Sequence, residues 1–267
     1  MKVFKFILLL IVFFSPVILA YLGYFDKEFA AILVALILGI FGIFHDWIRS
    51  QFNYPELDIE FNINQPDCHK TFLTRKYEVK NWTPATGIKI PGVADGEKEW
   101  HIDNVECYYY RLKIFNRGNY RAEKVEIMIL EKFTENSKKR FMKDYNFLPL
   151  NLVWGHDGVV VRESIAPLLF KYCDFGCIVA PEHTHIKFPD GGVYEQGVVL
   201  DLDLAVKPNT MSHLVFPGKH RFKIIAVADN SKVVTKIFEI DFQDFWNNDE
   251  KIMLKNGLIV KEVKSLE

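Results

Sequence analysis

A surplus of basic charge is the first thing this sequence lacks. Its 33 lysines and arginines face 34 aspartates and glutamates, and the net charge is −1. After residue 50 the balance is 29 basic against 31 acidic side chains. Nucleic-acid-binding domains carry a clustered basic excess, so no nucleic acid is expected as a partner. Signatures of catalysis are missing as well: there is no nucleophile elbow, no phosphate-cradling glycine loop and no zincin helix. An enzyme is therefore not the expected reading. Cysteine is scarce, with only Cys68, Cys107, Cys173 and Cys177, and in a reducing compartment these are thiols or metal ligands before they are disulfides.

Charge itself is absent from two early stretches. Phe6 to Phe25 and Phe29 to Phe44 contain no charged residue, and only Asp26, Lys27 and Glu28 separate them. Twenty helical residues reach about 30 Å, the thickness of a bilayer's hydrocarbon core. Trp47 and Ile48 extend the second run into an interface that favours tryptophan. A cleaved signal peptide ending at Ala20 is the competing reading, but the apolar stretch is long for one and Ile18 suits the cleavage rule poorly. The expectation is a membrane-anchored all-β protein. A transmembrane helical hairpin occupies 1–50 (helices about 6–25 and 29–48), a tether 51–54, a β-sandwich 55–245 and a tail 246–267. Lys2, Lys5 and Arg49 flank the hairpin, so the positive-inside rule makes this a multi-pass inner-membrane protein with both termini cytoplasmic. Ala31, Ala35 and Gly39 form a small-residue stripe suited to close helix packing.

From Pro55 the period changes to two. Leu57, Ile59, Phe61 and Ile63 alternate with polar residues; Val125, Ile127 and Ile129 do the same, and so do Leu200, Leu202 and Leu204. Phe222, Ile224 and Ala226, then Val234, Ile237, Phe238 and Ile240, flank the turn Asp229-Asn230-Ser231. Such strands with Gly/Asn/Pro turns predict an all-β sandwich or barrel. The stretch Tyr109 to Ile127 runs from an alternating strand through Asn116-Arg117-Gly118-Asn119 to Ala122-Glu123-Lys124-Val125. It resembles the Ig-like modules of the CARDB type, and the resemblance implies an Ig-like sandwich that binds or spaces without catalysing. The layout of the whole chain is similar to two-helix, β-barrel effectors of bacterial anti-phage signalling, although no cyclic-nucleotide motif matches. Asn81 to Trp100, rich in proline and glycine, is the longest irregular stretch and the first candidate binding loop.

The one constellation with metal-ligand chemistry is Cys173-x3-Cys177-x5-His183-x-His185, since two thiolates and two imidazoles can close a tetrahedral zinc site. On a regular strand, positions four apart share a face. Against zinc, the first spacing departs from the common two-residue one, and small buried cysteines are ordinary core residues. No other cofactor is expected. Lys138, Lys139, Arg140 and Lys143 form the one basic cluster, either a patch facing anionic lipid or a solvated hairpin turn. Asp201 and Asp203, between leucines, read as a strand's outer face. Gly155-His156-Asp157-Gly158 reads as a turn, and Asn81-Trp82-Thr83 is a sequon followed by proline.

Two functions follow as expectations. The first is a non-enzymatic binding or scaffold protein that presents its sandwich to a protein partner or to copies of itself at the bilayer. The second is a small-molecule sensor, with a nucleotide as one ligand, whose β-domain drives oligomerisation through the hairpin. A filled core with an exposed apolar patch favours the first, and a polar central cavity the second.

Overall fold

The computed structural model describes residues 11, 14–15, 18–19, 21–23, 26–43, 53–79, 99–155 and 157–266. Side chains at 27, 30, 40, 41, 43, 74–79, 99–103, 185 and 187 lie outside that description. Helix α1 spans Lys27–Ile43, 17 residues, or about 26 Å at 1.5 Å per residue. Among the described residues no helix is long and apolar enough to cross a membrane. This corrects the transmembrane hairpin and, with it, the multi-pass inner-membrane placement. As described, α1 falls short of a bilayer's hydrocarbon thickness, and most of the first apolar run lies outside the described residues. Ala31, Ala35 and Gly39 are all exposed on α1, and a Cβ placed on Gly39 would meet nothing within 4 Å.

The rest of the described chain is built mainly of antiparallel strands. The first sheet holds β1 (Leu57–Glu60), β2 (His69–Val79), β3 (Glu99–Asn116), β8 (Phe170–Val179), β11 (Leu200–Leu202) and β12 (Leu214–Val215). β3 is its long spine, pairing with β1 and β2 one after the other on one side and with β8 on the other. In the second sheet β4 (Ala122–Glu135) pairs with β13 (Gly218–Val227), which pairs with β14 (Val234–Phe242). The other side of β4 takes three short strands in turn, β5 (Phe141–Lys143), β6 (Leu150–Asn151) and β7 (Arg162–Ile165). A small hairpin, β9 (His185–Lys187) and β10 (Val193–Glu195), stands apart.

The segment 246–267 supplies helix α2 (Glu250–Asn256) and strand β15 (Leu258–Val263), which forms the far edge of the second sheet on β14. Asp249 caps α2, its side chain accepting from the Ile252 N–H at 3.1 Å, which satisfies one of the helix's orphan donors.

Alternation decides what faces inward. Leu57 and Ile59; Tyr108, Tyr110, Leu112 and Ile114; Leu200 and Leu202 come from the first sheet. Val125, Ile127 and Ile129; Phe222, Ile224 and Ala226; Phe238, Ile240 and Phe242 come from the second. Together they form one buried cluster. Aromatic edges join the two layers: Phe61 meets Phe175 at 4.9 Å and Phe238 at 5.8 Å between ring centroids, and Phe175 meets Phe222 at 5.4 Å. The interior between the two sheets is lined by these apolar side chains.

The turn Asn116–Asn119 has a different role from a hairpin. β3 belongs to the first sheet and β4 to the second, so these residues carry the chain across the sandwich. Ala122, the first residue of β4, is fully buried in the shared core.

Candidate interaction face

The outer side of the first sheet carries an ordered row of rings and cations. Across β3 and β8, Phe115 is opposite Phe170, Lys113 opposite Tyr172 and Arg111 opposite Asp174. The Phe115 and Phe170 rings stack at 6.2 Å, and Phe170 meets Tyr172 edge-on at 5.4 Å. Each cation lies over a ring: Arg117 over Phe115 at 4.9 Å, Lys113 over Phe170 at 4.3 Å and Arg111 over Tyr172 at 4.2 Å. Cation–π pairs of this kind contribute about 0.5–1 kcal/mol each where exposed.

The charges are largely met from within the row. Arg117 binds Asp58 at 2.8 Å and also Glu60. Arg111 is buried and donates to the backbone oxygens of Asp67, at 2.8 Å, and Pro66, while the Tyr172 hydroxyl donates to the Asp67 carboxylate at 2.7 Å. The row is therefore close to neutral.

At the end of the row the chain turns over a protruding apolar tip. Leu168 and Leu169 are 68% and 55% exposed, and Phe170 is 38% exposed. Leu168 has φ +58°, a left-handed backbone that costs a leucine roughly 1 kcal/mol or more. Two backbone bonds to Asn116 hold it there: the Leu168 N–H donates to the Asn116 carbonyl at 2.8 Å, and the Asn116 N–H donates to the Leu169 carbonyl at 2.9 Å. The side chain of Asn116 is buried and fully used. Its amide NH2 donates to Tyr120 O and Ile165 O, and its oxygen accepts from the N–H groups of Glu56 and Gly118. One residue thus locks the crossover, the start of β1 and the tip together.

Further along the same face, Asp174 is 9% exposed. Burial raises its carboxyl to about 7, the neighbouring Asp203 and Asp157 add to the rise, and Arg111 opposes it. Asp203 is raised for the same leading reason, burial. Asp201 and Asp203 face away from the buried Leu200, Leu202 and Leu204, half-covered. The Asp201 carboxylate pairs with Lys207 at 2.5 Å.

The fold separates the two cysteines of the zinc constellation. β8 bulges against β3, with Cys173 opposite Leu112 but Gly176 opposite Tyr110, so that Phe175 is the extra residue. The insertion reverses the alternation. Cys173 joins the main core, where its thiol donates to the Val153 carbonyl at 3.2 Å, while Cys177, opposite Tyr109, lies on the outer side. Positions four apart thus fall on opposite faces. Burial pushes both thiols upward, away from the thiolate that binds metal. His183 sits exposed on the 3-10 turn Pro181–His183, and the His185 side chain lies outside the described residues. Among the described residues, no group of three or more His, Cys, Asp or Glu side chains could hold a metal ion.

The basic cluster forms the β4–β5 turn. The Asn136 side chain accepts from the N–H groups of Lys138 and Arg140, Lys139 takes φ +58°, and Lys143 pairs with Glu131 at 2.5 Å. The Gly155–Gly158 turn holds an Asp157–Arg162 pair, while His156, the 81–98 part of the proposed binding loop and the sequon lie outside the described residues. The Leu168–Phe170 tip was not among the sequence candidates. Its only sequence signal is Pro167 followed by three apolar residues, which reads equally well as the start of a buried strand.

The fold and this face together describe a two-sheet antiparallel β-sandwich whose half-buried aromatic row ends in an exposed apolar tip. No known family model, characterised protein or solved structure matches the chain.

Proposed function

We propose that this protein is a non-enzymatic binding module that engages a partner protein through the Leu168–Leu169–Phe170 tip and the adjoining Phe115–Tyr172 row. The observation carrying this reading is the tip itself: two leucines held in solvent by hydrogen bonds to Asn116, one of them in a left-handed conformation. Exposed apolar residues set in a charged, polar rim mark interaction sites. Strained backbone fixed by its surroundings is likewise concentrated where function needs it. A protrusion requires a concave receiver, so the partner presents an apolar cleft, and the paired charges of Arg117, Asp58 and Glu60 form the rim around it.

Crosslinking tests it. A photoreactive amino acid placed at Leu169 in the full chain is expected to capture a discrete protein partner in cells, whereas the same group at Val233, also exposed, captures none. Leu169→Asp is expected to remove that partner while changing stability by no more than about 0.5 kcal/mol, as surface substitutions do. Leu168→Gly relieves the left-handed strain and is expected to stabilise the domain by about 1 kcal/mol while weakening capture. Equal crosslinking from positions 169 and 233 would sink the proposal.

A further inference from the structure

Away from that face, the loop between β1 and β2 and helix α2 enclose a half-open cleft of about 470 Å³. Its size falls within the range of small-ligand sites. We infer that this cleft binds a single carboxylate carried on a small apolar body. Ile63 and Leu254 supply the apolar lining, with Leu254 anchored in the core cluster. Lys251 and Lys255, one helical turn apart on α2, also line it, and neither has a hydrogen-bond or ion-pair partner among the described residues.

The one acid in the lining, Glu250, is already engaged. It accepts from the Gln65 amide at 2.5 Å and from the Lys70 N–H at 2.6 Å. These bonds also tie α2 to the β1–β2 loop and to the edge strand β2, so both walls are held in place before any ligand arrives. Two lysines against one carboxylate leave the cleft one positive charge in excess. A monoanion balances that excess, whereas a phosphate dianion would bring more charge beside Glu250 than the lysines neutralise. The apolar lining in turn requires an apolar body next to the charge. A free organic acid and the C-terminal carboxylate of a peptide ending in an apolar residue share this chemistry.

Ligand-observed NMR on the full chain tests the inference and separates the two sources. The probes are 3-phenylpropionate and its neutral amide, and an acetylated tetrapeptide ending in leucine with a free or an amidated C-terminus. Saturable binding of at least one carboxylate probe is expected at about 1 mM, the affinity attainable by so small a ligand. Its amide counterpart is expected to bind at least tenfold more weakly. The free acid binding alone identifies a small-molecule site, and the peptide binding better identifies a chain terminus. The double variant Lys251→Gln/Lys255→Gln changes only exposed side chains and is expected to keep the thermal unfolding midpoint while losing at least tenfold in affinity. No saturation by either carboxylate, equal binding of acid and amide, or unchanged binding in the folded double variant would each overturn the assignment.

Discussion

Asn116 is fully buried and uses its side-chain amide on four backbone partners, whereas the carboxyl of Asp174, a residue 9% exposed, has no hydrogen-bond partner among the described residues. A satisfied polar group costs little to bury, and an unsatisfied carboxylate escapes the cost by keeping its proton. The Asp174 carboxyl is accordingly raised from the ordinary 3.8 to about 7. A carboxyl whose folded pKa lies above its unfolded one favours the folded state in acid, and that preference is lost as pH rises through the folded value. Between pH 4 and pH 8 Asp174 therefore becomes a liability. Asp174→Asn is expected to match the parent near pH 4 and to exceed it in stability at pH 8 by on the order of 2 kcal/mol. Urea unfolding of both proteins at the two pH values measures the difference. A gain of equal size at both would contradict the titration.

The crossover from β3 to β4 is the element on which the interaction face depends. At Gly118 the first residues of the domain pass so close that an added Cβ would lie 2.5 Å from Glu56 N and 2.8 Å from Pro55 C, with the Tyr54 carbonyl oxygen nearer still. These are backbone atoms and cannot swing aside. Gly118→Ala is expected to destabilise the domain by about 2–4 kcal/mol, in the range of overpacked core positions. The Leu168 tip is tied to neighbouring Asn116, so its amides should lose hydrogen-exchange protection in the same variant. Denaturant unfolding combined with exchange measured at Leu168 checks both parts.

For the whole molecule, the C-terminal segment is structural. Met253, Leu254 and Leu258 are buried in the common core, and β15 covers the edge of β14 along six residues. Burying three such side chains contributes about 6 kcal/mol, a large share of the 5–15 kcal/mol by which domains are stable. A chain ending at Asp249 is expected to lose cooperative thermal unfolding and to aggregate through the uncovered edge. Near-UV circular dichroism and light scattering report the two effects. A truncated chain that still melts in one sharp transition would show that the tail is dispensable.

What the sequence determined by itself was local. The inward sets of β4, β11, β13 and β14 follow from a period of two, because neighbouring side chains on a strand must point to opposite faces. The β13–β14 hairpin follows from its Asp229-Asn230-Ser231 turn between two alternating runs; Phe222, Ile224, Ala226, Phe238 and Ile240 of that reading lie in the core, Val234 packs against it, and Ile237 falls outside it. What only the tertiary structure decided was how those strands are combined. Alternation cannot say that Asn116–Asn119 changes sheets, since a crossover and a hairpin use the same turn residues. Nor does it show the extra residue at Phe175, which separates Cys173 from Cys177, because a bulge is defined by the partner strand. The hairpin anchor read from apolar length is corrected by the described extent of α1. The candidate site was the least legible part. Leu168-Leu169-Phe170 has the composition of a buried strand, and only its hydrogen bonds to the end of β3 keep it in solvent.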